Sequence, residues 1–136
     1  MENKRLTIID FVEKYTAKYA ALTFLREKVD GDWTETSFSR TREKGRTLAA
    51  GFMAAGLAKG DKVALISEGR NQWIFSELGI LYAGGVNVPL SFKLESDYDL
   101  TFRINHSEAR FVIASESQII PDSRIIKSES ILCRKS

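Results

Sequence analysis

The sequence predicts an α/β fold, a partly parallel, doubly wound sheet with flanking helices and an N-terminal β-hairpin, and three features predict it. Two short uninterrupted apolar runs, Val63-Ala64-Leu65-Ile66 and Phe111-Val112-Ile113-Ala114, have the composition of strands buried on both faces. Segments of helical periodicity lie between such runs, which is the rhythm of βαβ units. Asp30-Gly31 separates two stretches rich in Phe, Thr, Leu and Trp and supplies the positive backbone angles of a tight type I′ turn.

The elements follow in order. Thr7 is suited to cap a helix over 8–19, with the Asp10 carboxylate near the positive end of its dipole. Ile8, Phe11, Val12, Tyr15 and Tyr19 then share one stripe. Residues 22–28 and 33–38 form the hairpin. Ser39 opens a second helix in which Thr41, Gly45, Leu48, Phe52 and Ala55 keep the three-four rhythm up to Gly56, a left-handed C-terminal cap, and its small residues imply close packing on a sheet. After the Lys59-Gly60-Asp61 turn come a strand at 63–66, a helix at about 71–83, a break at Gly84-Gly85, and an extended Val86-Asn87-Val88 ended by Pro89. A helix at about 96–106 and the strand at 111–114 repeat the unit, with right-handed crossovers expected. Beyond Ser115 the pattern decays, and residues 116–136 read as a poorly specified tail with room for local extended structure.

A chain of 136 residues can bury roughly two-thirds of its unfolded surface, enough for one real core. Hydrophobic residues make up 43% and charged residues 28%, which excludes collagen-like, low-complexity and wholly disordered classes. Twenty basic residues against eighteen acidic leave +2, and residues 1–121 carry sixteen of each sign. That balance argues against a dedicated binder of nucleic acid or anionic membrane, because affinity for polyanions comes from clustered Lys and Arg. One cysteine and one histidine permit neither an intrachain disulfide nor a Cys/His zinc site, which fits a reducing cytoplasm. Neither a signal-peptide core nor a transmembrane segment is indicated: the most apolar stretch, Trp73 to Leu90, is interrupted by Glu77 and Asn87.

No phosphate-loop, dinucleotide-fingerprint, nucleophile-elbow or His-Glu-x-x-His motif occurs. His106 falls at a helix end and reads as a C-terminal cap rather than an acid–base catalyst. Cys133, beside Arg134 and Lys135, has no base oriented toward it and reads as a spectator thiol. Arg40, Arg42, Lys44 and Arg46 form two basic ridges on the second helix and read as a solvated face. Ser67-Glu68-Gly69-Arg70-Asn71 is the segment that position favours as a ligand site, at the carboxyl end of a buried strand and the start of a helix. Its competing reading is structural, with Glu68 and Arg70 pairing or capping neighbouring backbone. By composition and pattern alone, catalytic, cofactor-binding and metal residues are all none, and substrate-binding residues are unknown.

Ser67-Glu68-Gly69-Arg70-Asn71-Gln72-Trp73-Ile74, followed by Ala83-Gly84-Gly85-Val86-Asn87-Val88-Pro89-Leu90, resembles the N-terminal part of AMP-forming acyl-CoA synthetases, long-chain fatty-acid ligases above all. Those enzymes commonly carry Ser-Glu-Asn-Arg-x-Glu-Trp and Ala-Gly-Ala-Val-Asn-Val-Pro-Leu. Thr36-Ser37-Phe38-Ser39, Gly51 to Leu57, Lys59 to Ala64 and His106 to Val112 also follow the family's order, so the resemblance covers about residues 7–115. Gly69 stands for the usual Asn, Gln72 for Glu, and Ser91-Phe92-Lys93 for a frequent Tyr-Pro-Thr.

The resemblance implies that residues 1–115 are the N-terminal portion of an adenylate-forming domain, with an incomplete sheet whose exposed surface favours a homo-oligomer. It implies a ligase that joins a fatty acid to ATP's α-phosphate as an acyl-adenylate and then to the thiol of CoA, with Mg2+ among the requirements of a full-length relative. The family's ATP loop ending in Gly-x-Pro-Lys, its Thr-Glu adenylate motif, ribose-binding Asp and C-terminal lysine do not occur in these 136 residues. This chain alone is therefore expected to need no cofactor and to be inactive. Two alternatives stay open on the residues: a stand-alone, non-catalytic α/β module that binds a nucleotide or a protein, and a basic-helix nucleic-acid binder.

Overall fold

The computed structural model describes residues 4–67, 69–91, 93, 96–114 and 129–132, the last four and Asp97 by their backbone. Helix α1, Ile8–Tyr19, starts in a capping box: the Thr7 hydroxyl accepts the Asp10 N–H at 3.1 Å, and the Asp10 carboxylate accepts the Thr7 N–H at 2.8 Å. Strands β1, Thr23–Val29, and β2, Asp32–Ser37, then pair antiparallel through Val29↔Asp32. Asp30 and Gly31 have φ of 50° and 90°, the two positive angles of the expected turn.

Helix α2, Phe38–Ala54, corrects one boundary. Ser37, not Ser39, caps it, its hydroxyl accepting the Arg40 N–H at 3.1 Å, so β2 runs into the helix with no linker. The packing partner of the small residues is corrected too. Gly45 and Gly79 lie where α2 meets α3, Asn71–Tyr82, and a Cβ on Gly45 would sit 2.9 Å from Leu78 Cβ. The closest approach is helix on helix, while Phe52 of α2 reaches the sheet beside α3.

The parallel sheet has the order β4-β3-β5-β6, with β3 at Lys62–Ile66, β4 at Val86–Leu90, β5 at Phe111–Ala114 and β6 at Glu129–Leu132. Pro89 does not end β4, which pairs on through Pro89↔Leu65 and Leu90↔Ile66. An edge strand tolerates the missing N–H, and β4 is an edge.

Residues 63–66 and 111–114 are no more than 3% exposed, and alternation divides them between two cores. Val63, Leu65, Phe111 and Ile113 meet Phe52, Leu57 and Ile80 from the α2–α3 side. Ala64, Ile66, Val112 and Ala114 meet Leu100 and Ile104 of α4, Asp97–His106, on the other face. The sheet is thus wound on both sides, as the apolar runs require. Asp61 fastens the α2–β3 loop to the start of β5, accepting from the Ala58 N–H at 2.8 Å and the Arg110 guanidinium at 2.7 Å. Among the described residues no helix is long and apolar enough to cross a membrane.

Candidate functional site

Strand order locates the site. From β3 the chain passes through α3 to β4 on one side, whereas β5 is flanked on its far side by β6. Neighbouring strands whose onward connections diverge leave a crevice at their carboxyl ends, where open α/β sheets take ligands. Here that switch point lies beyond Ile66 and Ala114, which are paired in register.

The segment singled out by position, 67–71, is at this crevice. Ser67 is half-buried, Gly69 and Arg70 are exposed, Asn71 is buried as the first residue of α3, and Glu68 lies outside the described residues. Arg70 occupies the N-cap with φ −119° and ψ 166° and accepts the Trp73 N–H through its carbonyl at 3.0 Å, while its side chain makes no capping hydrogen bond. The first turn of α3 holds no acidic side chain, so the helix dipole there favours an anion. A Cβ built on Gly69 meets nothing within 4 Å, which leaves room at the mouth.

His106 belongs to the opposite end of the sheet. It is the last residue of α4, which feeds the amino end of β5, and its ring stacks on Phe102 at 5.4 Å, so it lies at a helix terminus and apart from the crevice. Cys133 lies outside the described residues. The basic ridges of α2 are paired in part, Arg40 with Glu43 at 2.8 Å and Arg42 with Glu13 at 2.7 Å. Among the described residues no group of three or more His, Cys, Asp or Glu gathers to hold a metal ion.

The structure adds a polar junction that periodicity did not reveal. Glu13 Oε1 accepts from Arg42 Nε at 2.7 Å and from the Tyr82 hydroxyl at 2.5 Å, joining α1, α2 and α3. The Arg42 and Tyr82 hydrogen bonds hold the Glu13 carboxyl below its ordinary 4.5. Burial, then the bond to Glu13, pushes the Tyr82 hydroxyl up to about 12. Unfolded, that hydroxyl loses its proton near pH ~10. Between about 10 and 12 the folded chain therefore keeps a proton the unfolded chain has lost, and stability falls as pH rises through that window. For Glu13 the sign is opposite: its contribution is present above 4.5 and is lost as pH falls through the lower folded value. Urea unfolding across this alkaline window should show a decline in stability that Tyr82→Phe lessens; an identical decline in the variant would rule the assignment out.

A family model described as AMP-binding enzyme matches residues 11–134. The chain belongs to the AMP-binding enzyme family. Among its relatives in this family, 4-hydroxybutyrate–CoA ligase 2 of Metallosphaera sedula is 37% identical over 87 residues, covering 62% of this chain and 16% of that protein. Long-chain-fatty-acid–CoA ligase FadD15 of Mycobacterium bovis is 29% identical over 86 residues, 63% of this chain and 14% of that one. A structure of Klebsiella oxytoca NpsA in complex with 3-hydroxyanthranilyl-AMSN superimposes with a TM-score of 0.82 over 95% of this chain and 25% of its own, at 18% identity, a likeness of fold. The chain spans a quarter or less of each of these proteins. The resemblance to AMP-forming acyl-CoA ligases read from residues 67–74 and 83–90 is borne out, and their described residues fall at the crevice, in the first turn of α3, and from the end of α3 through the edge strand β4.

Proposed function

We propose that these residues serve an AMP-forming acyl-CoA ligase that acts on fatty acids in the cytoplasm, and that within it they supply scaffold and one wall of the acyl or nucleotide crevice. The reaction has two steps. The fatty carboxylate attacks the α-phosphorus of ATP and expels pyrophosphate, and the CoA thiol then displaces AMP to leave the thioester. The observation that carries this reading is the family match over residues 11–134, joined to the position of its motif residues at the carboxyl end of β3. Magnesium would accompany the ATP, and among the described residues no cluster of His, Cys, Asp or Glu gathers to hold it.

The contribution proposed for the isolated 136-residue chain is structural, since the sequence carries no Gly-x-Pro-Lys loop to neutralise the phosphates. Fatty-acid-dependent ATP–pyrophosphate exchange by the purified chain should stay at the buffer level, and exchange above it would overturn this. Calorimetry with ATP and with palmitoyl-CoA extends the test: saturable heat from ATP in the absence of exchange would replace the ligase reading by that of a nucleotide-binding module.

A further inference from the structure

The apolar stripe of α1 lies in large part outside any core. Ile8 is 58% exposed, Phe11 44% and Tyr15 38%, although Thr16 on the same helix is buried. With Phe24 of β1 and Phe38 of α2 they line an open apolar groove of about 210 Å³. Phe11, Tyr15 and Tyr19 stack in a row at centroid spacings of 6.1 and 6.2 Å, and Leu6 and Leu22 extend the exposed apolar surface. A patch of this kind marks a docking surface.

Charge says what docks there. At 3.6 residues per turn Lys14 and Lys18 fall beside Phe11, on the side away from Thr16, and their ammonium groups lie 5.7 and 5.0 Å from the Tyr15 and Tyr19 rings. Lys4 and Arg5, both exposed, precede the helix. Of the two acids of α1, Glu13 lies under Arg42 and Tyr82, and Asp10, in the capping box, keeps its charge and offsets Lys4 in part, which leaves the cations in excess. The near-neutral total thus conceals a locally cationic face in which lysines border exposed aromatics. A second copy would bring the same cations face to face, which opposes self-association through this surface.

We propose that the outward face of α1 docks on an anionic lipid surface, the rings and the groove taking the acyl region while Lys4, Arg5, Lys14 and Lys18 meet the headgroup phosphates. The helix lies along the surface and does not cross it. This inference stands on the geometry of α1 and does not rest on the ligase assignment.

Flotation of the full chain with phosphatidylcholine vesicles, and with vesicles containing about a third phosphatidylglycerol, tests it. Binding is expected to the anionic vesicles alone and to weaken at ~0.5 M NaCl. Lys14→Gln with Lys18→Gln should weaken it ~30-fold. Phe11→Ser should weaken it also, while far-UV circular dichroism and the urea midpoint stay near the parent's, because the ring is exposed. Lys28→Gln with Lys59→Gln, which removes the same charge from the hairpin and from the loop after α2, should bind like the parent. Failure to float with anionic vesicles would overturn the proposal, as would equal weakening by both lysine pairs. Dimerisation in light scattering that is lost in Phe11→Ser would assign the face to a second copy instead and would also overturn it.

Discussion

Phe111→Ala is expected to lower stability by ~4 kcal/mol. Phe111 is 1% exposed, begins β5 opposite Val63, and packs in the core that also holds Phe52, Leu57, Leu65 and Ile80. Truncation removes the transfer free energy of the ring and leaves a cavity that two strands and two helices must collapse to fill, which a paired sheet does poorly. The guanidinium of Arg110, 5.3 Å from the ring centroid, loses its aromatic neighbour as well. Against a total stability of ~5–15 kcal/mol for a single domain, such a loss leaves a large share of molecules unfolded under mild stress. Phe102→Ala is the matched comparison, because that ring is 52% exposed on α4 and its loss should cost within ~0.5 kcal/mol. Urea denaturation of the pair decides the matter, and near-equal midpoints would mean that β5 is not the centre of the core.

What was legible in the sequence and what was not follow from the range of the interactions. Thr7, Asp30-Gly31 and Gly56 act on neighbours within a few residues, so the helix start, the hairpin and the left-handed cap could be read directly. The runs at 63–66 and 111–114 announced burial on both faces because no polar residue interrupts them. Periodicity says which residues share a face, however, and not whether anything covers it. Ile8, Phe11 and Tyr15 have the pattern of a buried stripe and the exposure of a surface one. Pro89 looked like a terminator because its missing N–H forbids a central strand, and only strand order reveals that β4 is an edge. The same holds for the site. The 67–71 loop was legible as a strand-to-helix junction, but its standing as a switch point depends on β5 lying beside β3. Glu13 is 29 residues from Arg42 and 69 from Tyr82, so nothing in its local context announced their junction.

Gly79→Val should destabilise the chain by ~3 kcal/mol, from the steric demand of a side chain where two helices touch. A Cβ at this position would lie 2.8 Å from Leu48 Cβ, 2.9 Å from the Phe52 ring and 3.3 Å from the Gly45 carbonyl. Leu48 Cβ and the carbonyl belong to parts of α2 that cannot swing aside, so relief requires α2 and α3 to separate. Separation would loosen Phe52 and Ile80 from the core face of β3 and β5. The alanine variants isolate the steric part. Gly79→Ala gains up to ~1 kcal/mol of helix propensity, yet keeps all three close contacts and should still be a net loss. Gly51 lies in α2 with nothing within 4 Å of an added Cβ. There the propensity gain is unopposed, and Gly51→Ala should raise stability by ~0.5–1 kcal/mol. Opposite signs for one substitution type on two packed helices cannot come from propensity alone. If both alanine variants stabilise, the close α2–α3 approach is wrong, and with it the account of why small residues punctuate these helices.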